Sequence, residues 1–114
     1  MTLDELRSAL AWLPDLSVSE VSAGLAISSS AWIKRDGDLC GAFASQIDRG
    51  WIVSDAGDIL TFLSVEQVAP VAAAAGANMV QGDIIIGKLT RRMVPAAVVQ
   101  MLALLWRLDR EFGK

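Results

Sequence analysis

The C-terminal stretch of this chain restricts its fold more than any other feature. From Thr90 to about Glu111 the residues follow a helical period, with Thr90 as an N-cap and Pro95 permitting a later start near Val94. Projected at about 100° per residue, Ala96, Gln100, Ala103, Arg107, Arg110 and Glu111 share one small or polar face. Val94, Ala97, Val98, Met101, Leu102, Leu104, Leu105, Trp106, Leu108 and Phe112 spread over more than half the circumference. A surface helix needs an apolar stripe of only roughly 100°. This helix must therefore be covered on two sides, either within one chain or by a second subunit. The pattern leaves both open. It marks Leu102, Leu105 and Trp106 as oligomer-interface candidates, with a homodimer through this helix as the simplest arrangement.

The composition raises the same question. At 114 residues the chain predicts a single domain, 1–114, with one core. Its apolar fraction is 54% before the nine glycines are counted, against roughly 45–50% for ordinary domains with glycine included. A small domain has little interior for that excess, so self-association or a partner surface is its natural outlet. No apolar run reaches the roughly 18 residues of a membrane span: Pro70 breaks 68–77, and Pro95 and Gln100 interrupt 93–106. The opening Met-Thr-Leu-Asp-Glu-Leu lacks the basic and apolar regions of a secretory signal. The one cysteine, Cys40, fits a reducing compartment. The expected location is the cytoplasm. Net charge is −3, and Lys34-Arg35 and Arg91-Arg92 are the only adjacent basic pairs. That balance argues against nucleic acid and for a basic protein partner.

Turn chemistry divides the rest of the chain. Thr2 and Glu5 have capping-box spacing ahead of a helix from Thr2 to Leu13, whose stripe is Leu3, Leu6, Leu10 and Leu13. Pro14 and Asp15 end it, and Trp12 lies opposite the stripe. Residues 16–35 are rich in serine, valine and small residues, and Leu16, Val18 and Ser22 do not alternate cleanly; within this stretch 25–27 and 31–33 could form short strands, with the serine run between them as a loop. Asp36-Gly37-Asp38 and Asp48-Arg49-Gly50 are turns that bound a strand over 39–47 and another over 51–53. The result is a meander of about three strands. Ile59, Phe62 and Leu63 share one face of a short helical turn. Ser64 and Gln67 repeat the capping-box spacing ahead of an alanine-rich, nearly uncharged helix over 65–75, of the kind that is usually buried, with Gly76 as its C-cap. Residues 78–80 and 83–89 flank Gln81-Gly82 as a hairpin. The predicted architecture is α+β: a small antiparallel sheet, meander plus hairpin, packed against N-terminal, middle and C-terminal helices.

The chemistry is bounded by what the chain lacks. It has no histidine and no tyrosine. That removes Ser-His and Cys-His nucleophile pairs and histidine zinc sites, and one cysteine removes all-cysteine metal sites. The segment from Gly82 to Leu89 mimics a phosphate-binding loop, but Leu89 stands where the magnesium-binding hydroxyl belongs and three isoleucines favour a strand. Asp36, Asp38, Asp48, Asp55, Asp58 and Asp83 would have to converge to serve a metal-dependent hydrolase or nuclease, and most sit where aspartate caps turns. No enzyme, metal or cofactor is expected.

From about Ala31 onward the order of features resembles the bacterial and phage family called domain of unknown function 1828. The resemblance rests on Asp36-Gly37-Asp38 before a strand, on Trp51-Ile52-Val53-Ser54-Asp55-Ala56-Gly57, on Ile59, Leu60 and Leu63, and on the hairpin around Gln81-Gly82-Asp83 before a terminal helix. The alanine-rich middle helix departs from that pattern. The resemblance implies a phage or prophage setting and no activity. Small acidic phage proteins often act by occupying a host surface, as anti-CRISPR proteins do. The expected function is a non-catalytic domain that binds a host or self protein. Its contact candidates are Trp12, Trp32, Asp36, Asp38, Asp55 and Asp58.

Overall fold

The computed structural model describes residues 1–22 and 24–113. The chain runs α1 (Leu3–Ala9), β1 (Ser17–Val21), β2 (Gly24–Ile33), β3 (Leu39–Ile47), β4 (Gly50–Ser54), α2 (Val65–Ala74), β5 (Asn78–Val80), β6 (Asp83–Leu89) and α3 (Val94–Phe112), with 3-10 turns at Ile59–Thr61 and Arg91–Met93. The strands form one antiparallel sheet in the order β1-β2-β3-β4-β6-β5. The α+β architecture of meander plus hairpin is the one observed.

Period-two alternation puts Leu25 and Ile27 of β2, Cys40, Ala42 and Ala44 of β3, Trp51 and Val53 of β4, and Ile84 and Ile86 of β6 on one face, where all are buried. The helices bury their apolar residues in the same core. α3 lies across β2, β3, β4 and β6, with α2 beside it. The small side chains of β3 let α3 approach the sheet closely. Gln100 Nε2 reaches sideways to donate to Ala75 O at 3.3 Å. The two-sided cover that the helix demands is thus provided within one chain, by the sheet beneath and α2 alongside.

Four expectations change in detail. α1 ends at Ala9 and not at Leu13, and Leu10 and Leu13 are buried from the turns that follow it. β1 is a regular strand in a stretch without a clean sequence period, because as an edge strand it buries only Val18. The serine run is the middle of β2 and not a loop. Its register shifts between Ser28 and Ile33, and Ser29 is buried because its Oγ donates to Pro14 O at 2.7 Å. α2 is capped by the reciprocal Ser64–Gln67 bonds, but it buries only Val68 and Ala72 and leaves most of its other residues exposed. It rests on α3 and β5 at the margin of the sheet. Among the described residues no helix is long and apolar enough to cross a membrane.

Candidate functional site

Two turns and the end of α3 meet at one end of the molecule. The β2–β3 turn closes on itself. Lys34 N donates to Asp38 O at 2.7 Å, Gly37 N to Lys34 O at 3.0 Å, and Asp38 N to Asp36 Oδ1 at 2.9 Å, with Gly37 at φ 94. Arg35 then fastens this turn to α3. Its backbone N donates to Asp109 Oδ2 at 2.9 Å, and its guanidinium donates to Gly113 O at 3.0 Å and to Arg110 O. A cation on the free carbonyls of a helix C-terminus satisfies them and complements the helix dipole.

The second turn leaves β4 through Asp55. That carboxylate is fully buried and accepts three backbone N–H groups: Gly57 at 3.0 Å and Ile84 at 2.9 Å on Oδ1, and Ile59 at 3.0 Å on Oδ2. One side chain therefore joins β4, β6 and the 3-10 turn, and it sends the chain around to Asp58. Asp58 Oδ2 lies 3.3 Å from Lys34 Nζ, which stands 5.9 Å from the centre of the Phe62 ring. Burial pulls the Lys34 ammonium down, but the Asp58 carboxylate outweighs it, helped by Asp36, and the net pKa is raised. Lys34 is a held cation.

Clefts open on both sides of this pair. One, of about 500 Å³, is lined by Lys34, Asp36, Ile59, Thr61, Phe62, Leu63, Gln67, Asp109, Phe112 and Gly113. The other, of about 620 Å³, is lined by Lys34, Asp38, Leu39, Gly41, Phe43, Asp55, Ala56, Gly57, Asp58 and Thr61. Among the described residues Lys34 is the one cationic side chain in either lining, and aspartates supply the rest of the charge. Phe62 rises from the rim with 73% of its surface exposed.

The structure gathers some of the sequence-derived candidates and disperses others. Asp36, Asp38 and Asp58 converge around Lys34. Asp55 lies beside them but is buried, so it is a joint of the fold and presents no surface to a partner. Trp12 is 68% exposed, Trp32 is half-buried against the core, and neither lines a cleft. Leu102 and Leu105 are buried in the chain's own core and have no surface to offer a second subunit. Trp106 keeps an exposed edge, with the Arg110 guanidinium 5.0 Å from its ring centre.

Lys34 and Phe62 are the residues that sequence reasoning missed. Phe62 shares a helical spacing with Ile59 and Leu63, but the 3-10 turn ends at Thr61, so Ile59 and Leu63 turn inward and Phe62 does not. Among the described residues no three His, Cys, Asp or Glu side chains are grouped to hold a metal ion. No family model, curated protein or solved structure matches this chain.

Proposed function

We propose that the chain is a non-catalytic protein-binding domain of phage or prophage origin, which inhibits a host defence complex by occupying a basic surface. The observation that carries this reading is the convergence of Asp36, Asp38 and Asp58 on two clefts whose single lysine is already paired, beside an exposed phenylalanine. Fixed carboxylates steer and orient a cationic partner, while an aromatic ring supplies rigid contact area. The target surfaces of nucleic-acid-binding defence complexes carry the complementary charge. The setting comes from the resemblance to domain of unknown function 1828, and the absence of histidine supports a mode of action without catalysis.

Mass photometry of the chain mixed with purified defence nucleases tests this reading. The expected result is a complex that D36K/D38K abolishes, that F62A weakens at least tenfold, and that dissociates as salt rises. A panel with no complex, or a complex indifferent to those substitutions, would overturn the proposal.

A further inference from the structure

All three helices cover one face of the sheet, and the other face carries no helix and is bordered by the 55–61 segment at Leu39, Gly41 and Phe43. The register defines it. Ser19, Ala26, Phe43, Ser54, Ile85 and Asn78 form an outward row across all six strands. The solvated face of an antiparallel sheet ordinarily carries polar and charged side chains. Here Asp83, at the margin, is the only ionisable residue at a paired outward position among the described residues, and exposed Lys88 stands at the β6 irregularity opposite Ile52. Of the ten exposed large apolar side chains among the described residues, Val21, Ile33, Leu39, Ile47 and Val80 belong to this face.

We infer that this face is the homodimer interface of the chain, with two copies packing sheet on sheet. Charge selects the occupant. A chain of net charge −3 repels its own copy, and a nearly uncharged face is where two copies meet without opposed like charges. It is complementary to itself, as a two-fold interface requires. A basic partner finds its carboxylates at the clefts, the second of which borders this face at Leu39, Gly41 and Phe43.

The size is sufficient. Six strands about 4.8 Å apart and about 22 Å long give roughly 500 Å² per copy, or roughly 1,000 Å² for the pair, the lower bound for a specific interface. Pairing through the sheet edges is disfavoured. Arg7 Nη2 donates to Val18 O at 3.1 Å and occupies the β1 edge, while β5 has only three residues. The dimer is then a four-layer assembly, helices-sheet-sheet-helices, with facing sheets about 10 Å apart.

Ser45 provides a clean test. It pairs with Ile52 on the outward face, is half-buried and lines neither cleft, so Ser45→Arg places charge and bulk in the interface while leaving the acidic clefts intact. Ile85→Lys does the same from β6. Sedimentation equilibrium of the full chain should give twice 12.2 kDa for the wild type with micromolar dissociation, and 12.2 kDa for both variants with unchanged circular dichroism. Hydroxyl-radical footprinting of the wild type alone should show Phe43 and Ile52 gaining protection with concentration while Trp12 and Phe62 do not. A wild type that stays at 12.2 kDa up to about 200 μM, an assembly larger than two, a dimer undiminished in both variants, or a footprint that leaves Phe43 and Ile52 unprotected would each overturn the inference.

Discussion

Asp55 offers the most direct measurement of what holds the site end together. Replacing it with alanine removes the acceptor for Gly57, Ile59 and Ile84 N–H groups at once. Ile59 and Ile84 are buried and find no replacement, whereas half-exposed Gly57 reaches water. A hydrogen bond to a charged acceptor contributes about 1.5–3 kcal/mol and an orphaned buried donor costs about 1–3 kcal/mol, which puts Asp55→Ala at about 4 kcal/mol. Asparagine separates shape from bonding. Its single oxygen can keep the Gly57 and Ile84 bonds, but its amide turns a donor toward Ile59 N–H, for a loss of about 2 kcal/mol. Native stability for a chain of this size is roughly 10 kcal/mol, so both variants remain folded. Urea unfolding, followed by fluorescence of buried Trp51 and by circular dichroism, gives the two losses. A slope of about 1.5 kcal/mol per molar translates the larger one into a midpoint shift of about 2–3 M. An Asp55→Ala loss below about 1 kcal/mol, or an Asp55→Asn variant as stable as wild type, would refute the assignment of this carboxylate as a three-way joint.

Leu102→Ala should cost about 2–5 kcal/mol, and by the same amount at every protein concentration, because Leu102 is fully buried by its own chain; a concentration-dependent loss in denaturation curves would place its partners in another copy. Arg35→Ala strips the guanidinium from Arg110 O and Gly113 O and should fray the last turn of α3, at about 1 kcal/mol, read as faster amide exchange confined to that turn; unchanged exchange there would remove its capping role. Burial pushes the Cys40 thiol up from 9.0 to about 11, so native protein should resist thiol reagents at pH 8 and react at once when unfolded. Since the folded pKa is the higher one, the contribution of Cys40 to stability is complete below about pH 9 and is lost as pH rises through about 11, which denaturation curves across that window would show. Rapid labelling of the native thiol would contradict its burial.

How far the fold was legible depends on whether a feature is local. The Asp36-Gly37-Asp38 and Gln81-Gly82 turns and the Ser64–Gln67 capping box are chemistry between residues two to four apart, and each stands where its residues indicate. β3 matches its expected bounds, 39–47, because turns fix both ends and inward and outward residues alternate between them. β1 was not legible, since its place depends on pairing with β2 while its own residues are serines, two valines and a glutamate. The site shows the same division. Asp36, Asp38 and Asp58 could be named as turn carboxylates, but their meeting depends on Lys34 reaching Asp58 across 24 positions and on Arg35 reaching the end of α3 across 74 to 78. Asp55 was legible as an acidic turn residue. Its burial was not, because the Ile84 donor arrives from a strand 29 residues away.

The apolar excess of the chain finds its explanation in where small residues stand. A broad apolar helix on a sheet of large side chains would stand off and leave its flanks to a second subunit. Beneath α3, however, β3 presents Cys40, Ala42 and Ala44, all nearly fully buried, and α2 turns Val68 and Ala72 toward the same core. Small inward residues draw the helix down until both of its flanks are covered, so most of the arc from Val94 to Leu108 is used up inside the protomer, with Val99 half-buried and Trp106 exposed. The excess then has to appear elsewhere. It appears on the opposite face of the same strands, where β3 turns out Phe43 and Ile47 and β4 turns out Ile52. The alternation that makes β3 thin on one side leaves it apolar on the other. The self-association we infer therefore lies on the sheet and not on the helix, where composition first suggests it, and the cleft beside the end of α3 stays clear of that contact.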